Sequence, residues 1–140
     1  MAYFRIKNLT TLEGKYMASE NATSVRRNFD NPDETRPFEK GRAEVVEVGG
    51  VSLMRAIFEP GWTWSSCVKP LVGGESCQVS HKWYVVSGRM KMRMDDGTEL
   101  EWRAGDVGVI PAGHDAWVVG DEAFVFIDFE GGPVFAKPKD

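Results

Sequence analysis

The sequence predicts an all-β chain of short antiparallel strands, and two observations predict it. From residue 43 onward, runs rich in β-branched and aromatic residues recur between Gly and Asp turn signals, the spacing of a sheet protein. In RMKMRM (89–94), apolar and basic side chains alternate strictly, the period of a strand with one face in a core and one in water. No stretch of useful length carries a helical period, so helix content should be small. A length of 140 residues with 42% hydrophobic content suits one domain around one core.

The first forty residues are polar and irregular. NFDNPDETRPFEKG brings two prolines and a dense mix of charges, which reads as loop. Residues 1–42 are therefore expected to form an N-terminal extension wrapping a β domain at 43–140. The expected strands are AEVVEV (43–48), VSLMRAIF (51–58), WTWSSCV (62–68), CQVSHKWYVV (77–86), RMKMRM (89–94), TELEWR (98–103), DVGVI (106–110), AWVV (116–119) and AFVFIDF (123–129). Asp96-Gly97 joins two of them in a hairpin, because both residues accept positive φ.

Strand parity then assigns faces. Met90, Met92 and Met94 should point inward as flexible core filling, in a wall that also suits varied ligands. Trp62 and Trp64 lie opposite Cys67, so an inward Cys67 turns both indoles outward, to be covered by the N-terminal segment or a second subunit. Trp83 shares the face of His81 and should line a pocket beside it. Asp128 shares a face with Phe124 and Phe126, and as a carboxylate near a strand end it is expected in solvent. Asp115 is a partner for His114 only if the turn redirects its side chain.

A net charge of -4 offers no basic footprint, which argues against nucleic acid and acidic membrane surfaces as partners. No apolar run approaches the roughly 18 residues of a membrane span, and MAYFRIKNLTTLEG lacks a signal-peptide core. A cytoplasmic location is the resulting expectation. Two cysteines in that compartment read as thiols or metal ligands, although Cys67 and Cys77 could form a disulfide if folded close together.

The chain has only two cysteines and two histidines. ESCQVSHKWYVVSG holds Cys77 and His81 together, and Cys67 and His114 complete the set. Two thiolates with two imidazoles suit Zn, Fe, Ni or Cu far better than Mg or Ca. Residues 77 and 81 would lie about 13 Å apart on a straight strand, so a shared ion requires QVS to turn or bulge. The alternative is ordinary core: buried free cysteines, and histidines that hydrogen-bond in a pocket.

GDVGVIPAGH places Gly105, Pro111 and Gly113 at the spacing of G-x5-P-x-G, and upstream Gly61 stands six residues before Cys67 while His81 stands seven before Gly88. In this order the residues resemble the two motifs of the cupin superfamily, G-x5-H-x-H-x3/4-E-x6-G and G-x5-P-x-G-x2-H-x3-N. The resemblance covers about residues 43–130. It implies an antiparallel jelly-roll barrel with a metal-centred pocket, and a homodimer.

The chain departs from those motifs at the ligand positions. Cys67 and Lys69 stand for the two histidines, His81 for the glutamate, Ala116 for the last histidine and Gly120 for the asparagine. Counting back from His81 instead puts Glu75 and Cys77 at the histidine positions. His114 lies two residues before the last ligand position and shares its strand face. The resemblance thus implies a transition metal held by residues among Cys67, Cys77, His81 and His114, with Trp83, Met90 and Met92 in the pocket and His81 as the candidate catalytic residue.

Three functions stay open on the sequence. One is a metal-dependent enzyme acting on a small molecule by dioxygenase, isomerase or lyase chemistry, which needs an open coordination position. A second is a non-enzymatic binding or sensing module with a structural metal or none. The third is metal-free acid-base catalysis by His81, helped by Cys67 or Glu75.

Overall fold

The structure, a computed structural model, describes residues 23–138. Two antiparallel sheets carry the chain. The larger contains β1 (Glu34–Phe38), β2 (Gly41–Val48), β3 (Val51–Phe58), β4 (His81–Ser87), β7 (Val107–Ile110) and β9 (Phe124–Asp128), in the order β1-β2-β3-β9-β4-β7. The smaller contains β5 (Arg89–Met94), β6 (Glu99–Arg103) and β8 (His114–Val119), in the order β6-β5-β8. This is the jelly-roll arrangement expected, although the sheets are not closed into a barrel. No helix among the described residues is long and apolar enough to cross a membrane.

Alternation explains the inner faces. In β5, Met90 and Met92 are buried while Arg89, Lys91 and Arg93 are exposed. The hairpin to β6 closes where Asp96 accepts the Thr98 amide through its side chain and Gly97 takes φ 90°. Between the sheets, aromatic rings fill the space: Phe58 stacks on Trp62 with centroids 3.7 Å apart, and Trp83 leans on Phe126 at 4.4 Å. At the β4–β5 joint, Gly88 has φ 82°, and a Cβ there would collide with the backbone of Ala123 and Phe124. Only glycine lets the chain turn against β9 at that point.

Three expectations about elements are corrected. The stretch 62–68 is not a strand: after a single bridge from Thr63 to Trp117, the chain turns into α1 (Trp64–Cys67) and α2 (Lys69–Val72). The Thr63 hydroxyl caps α1 by accepting the Ser66 amide at 3.0 Å, and Pro70 opens α2. This local capping outweighs the alternation of WTWSSC. Trp62 and Trp64 consequently turn inward and are each 2% exposed, so neither needs a second subunit or the N-terminal segment to cover it.

Part of the segment expected as loop forms the edge strand β1, paired with β2 from Glu34↔Val45 to Phe38↔Gly41. An edge strand tolerates Pro37, which has no amide to donate. The expected wrapping by residues 1–22 lies outside the described residues. Finally, β4 starts at His81 rather than Cys77, β3 and β5 keep their expected bounds, and the remaining strand ends lie within two residues of expectation.

Candidate metal centre

Three segments converge at one end of the two sheets. Cys77 lies ahead of β4 and is tied to the start of β8: its amide donates to the His114 carbonyl at 2.7 Å, and its own carbonyl accepts the Gly113 amide at 2.7 Å. Residues 78–80 then run outside any strand, and His81 opens β4. That departure from the strand path brings one donor atom each from Cys77, His81 and His114 within 4.8 Å of one another. All three are buried.

Both imidazoles are held through one nitrogen. His81 Nδ1 lies 2.5 Å from Asp128 Oδ2, and His114 Nδ1 donates to the Pro111 carbonyl at 2.8 Å. Asp128 is fully buried, and its other oxygen accepts the amides of Glu130 at 2.9 Å and Gly131 at 3.0 Å. Burial works to raise the Asp128 carboxyl, but the His81 hydrogen bond and charge and these amides together hold it below the usual carboxylate range. An ionised Asp128 fixes the proton on His81 Nδ1 and leaves Nε2 as the free donor. Gly131 makes the pair possible, since a Cβ there would lie 2.5 Å from Asp128 Oδ2 and 2.8 Å from His81 Nδ1.

Burial, reinforced by the neighbouring His81, lowers the His114 pKa to about 4, so the ring is neutral at physiological pH. Burial likewise pushes the Cys77 thiol up to about 11. A cation taking Cys77 as thiolate would displace its proton.

The donors share a cavity of about 20 Å³ walled by Trp62, Trp64, Trp83, Met90, Met92 and Phe135. Trp64, Cys77 and Phe135 also line an outer cleft of about 250 Å³. The inner space has room for one or two water-sized groups, given the roughly 10–15 Å³ that a water requires.

Of the expected metal residues, the structure gathers Cys77, His81 and His114, while Cys67 sits buried on α1 outside that group. Both cysteines are free thiols. Glu75 is exposed and approaches Lys69, so it takes no part. Trp83, Met90 and Met92 do wall the cavity, with Trp83 5.5 Å from the His81 ring.

The expectation for Asp128 is corrected. It is not in solvent but beneath His81, stabilised there by the hydrogen bonds that a buried carboxylate requires. Its place among the apolar positions of AFVFIDF was the available signal. Nor does Asp115 orient His114: its carboxylate accepts its neighbour's amide, Ala116 N–H, and a backbone carbonyl holds the imidazole instead.

No family model matches the chain, and no curated protein matches it. Solved structures do. The oxalate decarboxylase of Lactobacillus farciminis in its formate complex is 25% identical over 73% of this chain and 32% of its own, with a TM-score of 0.52. This chain therefore spans about a third of that enzyme. The polyketide cyclase RemF of Streptomyces resistomycificus is 16% identical, covering 76% of this chain and 78% of its own, with a TM-score of 0.54. A Klebsiella pneumoniae protein with a double-stranded β-helix domain is 20% identical over 83% of this chain and 91% of its own, with a TM-score of 0.51.

At these identities the likeness is one of fold. Sheet order and neighbours together give this chain the double-stranded β-helix fold of the cupin type. Its buried Cys/His/His group is able to hold a transition metal.

Proposed function

We propose that the chain is a metal-binding cupin in which Cys77, His81 and His114 hold one transition metal ion and leave a coordination position open, as a metal-dependent enzyme of a small molecule requires. The observation that carries the reading is the convergence of three buried donors whose two rings are already fixed through Nδ1. A tetrahedral ion at about 2.0–2.3 Å would space such donors roughly 3.5 Å apart, and the three now lie within 4.8 Å of one another. One thiolate and two imidazoles suit Zn, Fe, Ni or Cu.

A bound ion would supply Lewis acidity or oxygen activation, the basis of dioxygenase, isomerase or lyase chemistry. The chain's own part is to hold His81 through Asp128, to exclude water with the aromatic wall, and to admit a small molecule from the outer cleft past Trp64 and Phe135.

One observation favours a second reading. The inner cavity is only about 20 Å³, which fits a structural ion in a non-enzymatic binding or sensing cupin. Elemental analysis after expression in metal-supplemented medium tests the shared core of both, with His81→Ala as the control. Near-stoichiometric metal that is lost in the variant supports it, and metal far below one equivalent per chain overturns it. X-ray absorption then separates the readings: three protein donors plus a light atom supports the open site, and a fourth protein donor the closed one.

A further inference from the structure

The cavity wall holds more than apolar surface. Trp62, Trp64 and Trp83 are each 2% exposed, and the indole Nε1 of each is buried without a hydrogen-bond partner among the described residues; the fourth such indole, Trp102, lies off this cavity. A buried donor left unpaired costs about 1–3 kcal/mol, so three around one small cavity is an expensive arrangement for packing alone. All three side chains line the space that Cys77, His81 and His114 share.

Ring packing answers the demand only weakly. Trp62 lies flat on Phe58, with the planes 4° apart, which leaves its in-plane N–H directed away from that π face. Among the described residues, no aromatic ring pairs with Trp64. Trp83 meets Trp102 edge to face at 5.3 Å and Phe124 at 5.8 Å, and N–H···π contacts of this kind are weak.

We propose that the indole N–H groups of Trp62, Trp64 and Trp83 form a receptor for a water-sized anion beside the Cys77, His81 and His114 site. The ligand class follows from three features together. With the lone pairs of Cys77, His81 and His114 taken by the ion, the unpaired N–H donors favour an anion, which takes stronger hydrogen bonds than a neutral group. A divalent ion with a single thiolate keeps net positive charge and adds to that preference. With a metal ion in place, a cavity of about 20 Å³ leaves room for one water-sized group. This inference rests on the metal reading above and names the kind of ligand its open position takes.

The test uses the full chain loaded with zinc, ¹⁵N-labelled at tryptophan, with fluoride as the probe. Zinc content is measured first by elemental analysis. The chain has five tryptophans, so Trp102 and Trp117 serve as internal references. Fluoride is expected to shift the indole N–H signals of at least two of Trp62, Trp64 and Trp83, saturating at one anion per chain, while the reference signals stay in place. Acetate is expected to leave all five unmoved.

Trp64→Phe is expected to weaken fluoride about tenfold, the loss of one hydrogen bond to a charged partner, at unchanged zinc stoichiometry. Zinc bound with no fluoride shift, equal shifts at the reference indoles, or acetate acting as fluoride does would overturn this inference and leave the metal reading standing. A chain that takes up no zinc overturns both. If Trp64→Phe fails to hold zinc, Trp62→Phe provides the same comparison.

Discussion

His81 and His114 can serve a cation because each ring is held through Nδ1, and Cys77 because a cation would displace its proton. Asp128 sets the His81 tautomer, and its removal should be felt by the metal rather than by the fold alone. Asp128→Asn is expected to weaken zinc affinity by about 10- to 100-fold, the usual cost of losing such an orienting partner, as read by competition with a chromophoric chelator. Unchanged affinity would show that the pair is only packing.

The same residues make stability depend on acid. In the metal-free chain, His114 titrates near 4 when folded against an ordinary value of 6.5. The folded state therefore binds fewer protons than the unfolded state between those values. Stability present above the unfolded value is lost as pH falls towards 4, by about 3 kcal/mol for this group. Asp128, also lowered on folding, extends the loss to still lower pH. Urea midpoints measured from neutral pH down to about pH 4 should fall along this course, and His114→Gln should flatten it.

His81 and His114 could be picked out in the sequence because histidine is rare in this chain and each stands near a motif glycine. Asp128 could not be assigned, because an acid among phenylalanines is a solvent residue unless a partner waits beneath it. That partner lies 47 residues away in the chain.

At the level of elements, glycine positions decide how the strands meet. Gly88 turns β4 into β5 at the point where the β4–β9 register shifts between Val85 and Ser87. With positive φ and backbone atoms of Ala123 and Phe124 where a methyl would go, Gly88→Ala is expected to cost at least about 2 kcal/mol in urea unfolding, combining αL strain with overpacking. A loss below a few tenths would mean that the joint relaxes freely.

Strands with strict alternation, such as β5, were legible because the pattern has one solution when one face meets water. WTWSSC alternates just as well, yet forms α1. Its outcome was set by the Thr63 cap and by room for two indoles between the sheets, and neither of these is written in a period of two. In β1, Pro37 argued for loop and would have been right anywhere except at a sheet edge.

The molecule as a whole places a tight aromatic-walled centre behind a wider cleft, with Trp64, Cys77 and Phe135 common to both. Phe135 is 3% exposed and forms part of the partition. Phe135→Ala is expected to join the two spaces and to speed zinc extraction by a chelator several-fold more than it changes equilibrium zinc affinity, at a stability cost of about 3–5 kcal/mol. Equal changes in rate and affinity would show that the ion leaves by another route.

The jelly roll was implied only by the motif resemblance; by itself the sequence determined the all-β class and the small set of residues able to bind a soft or borderline cation. These are properties of local period, turn chemistry and residue type, which a chain carries wherever it folds. The tertiary structure alone decided that Cys77 and not Cys67 joins the two histidines, that Asp128 lies beneath His81, and that Trp62 and Trp64 face inward. Each of those depends on segments distant in the chain meeting at one end of the sheets, where burial and hydrogen bonding select partners that no spacing in the sequence records.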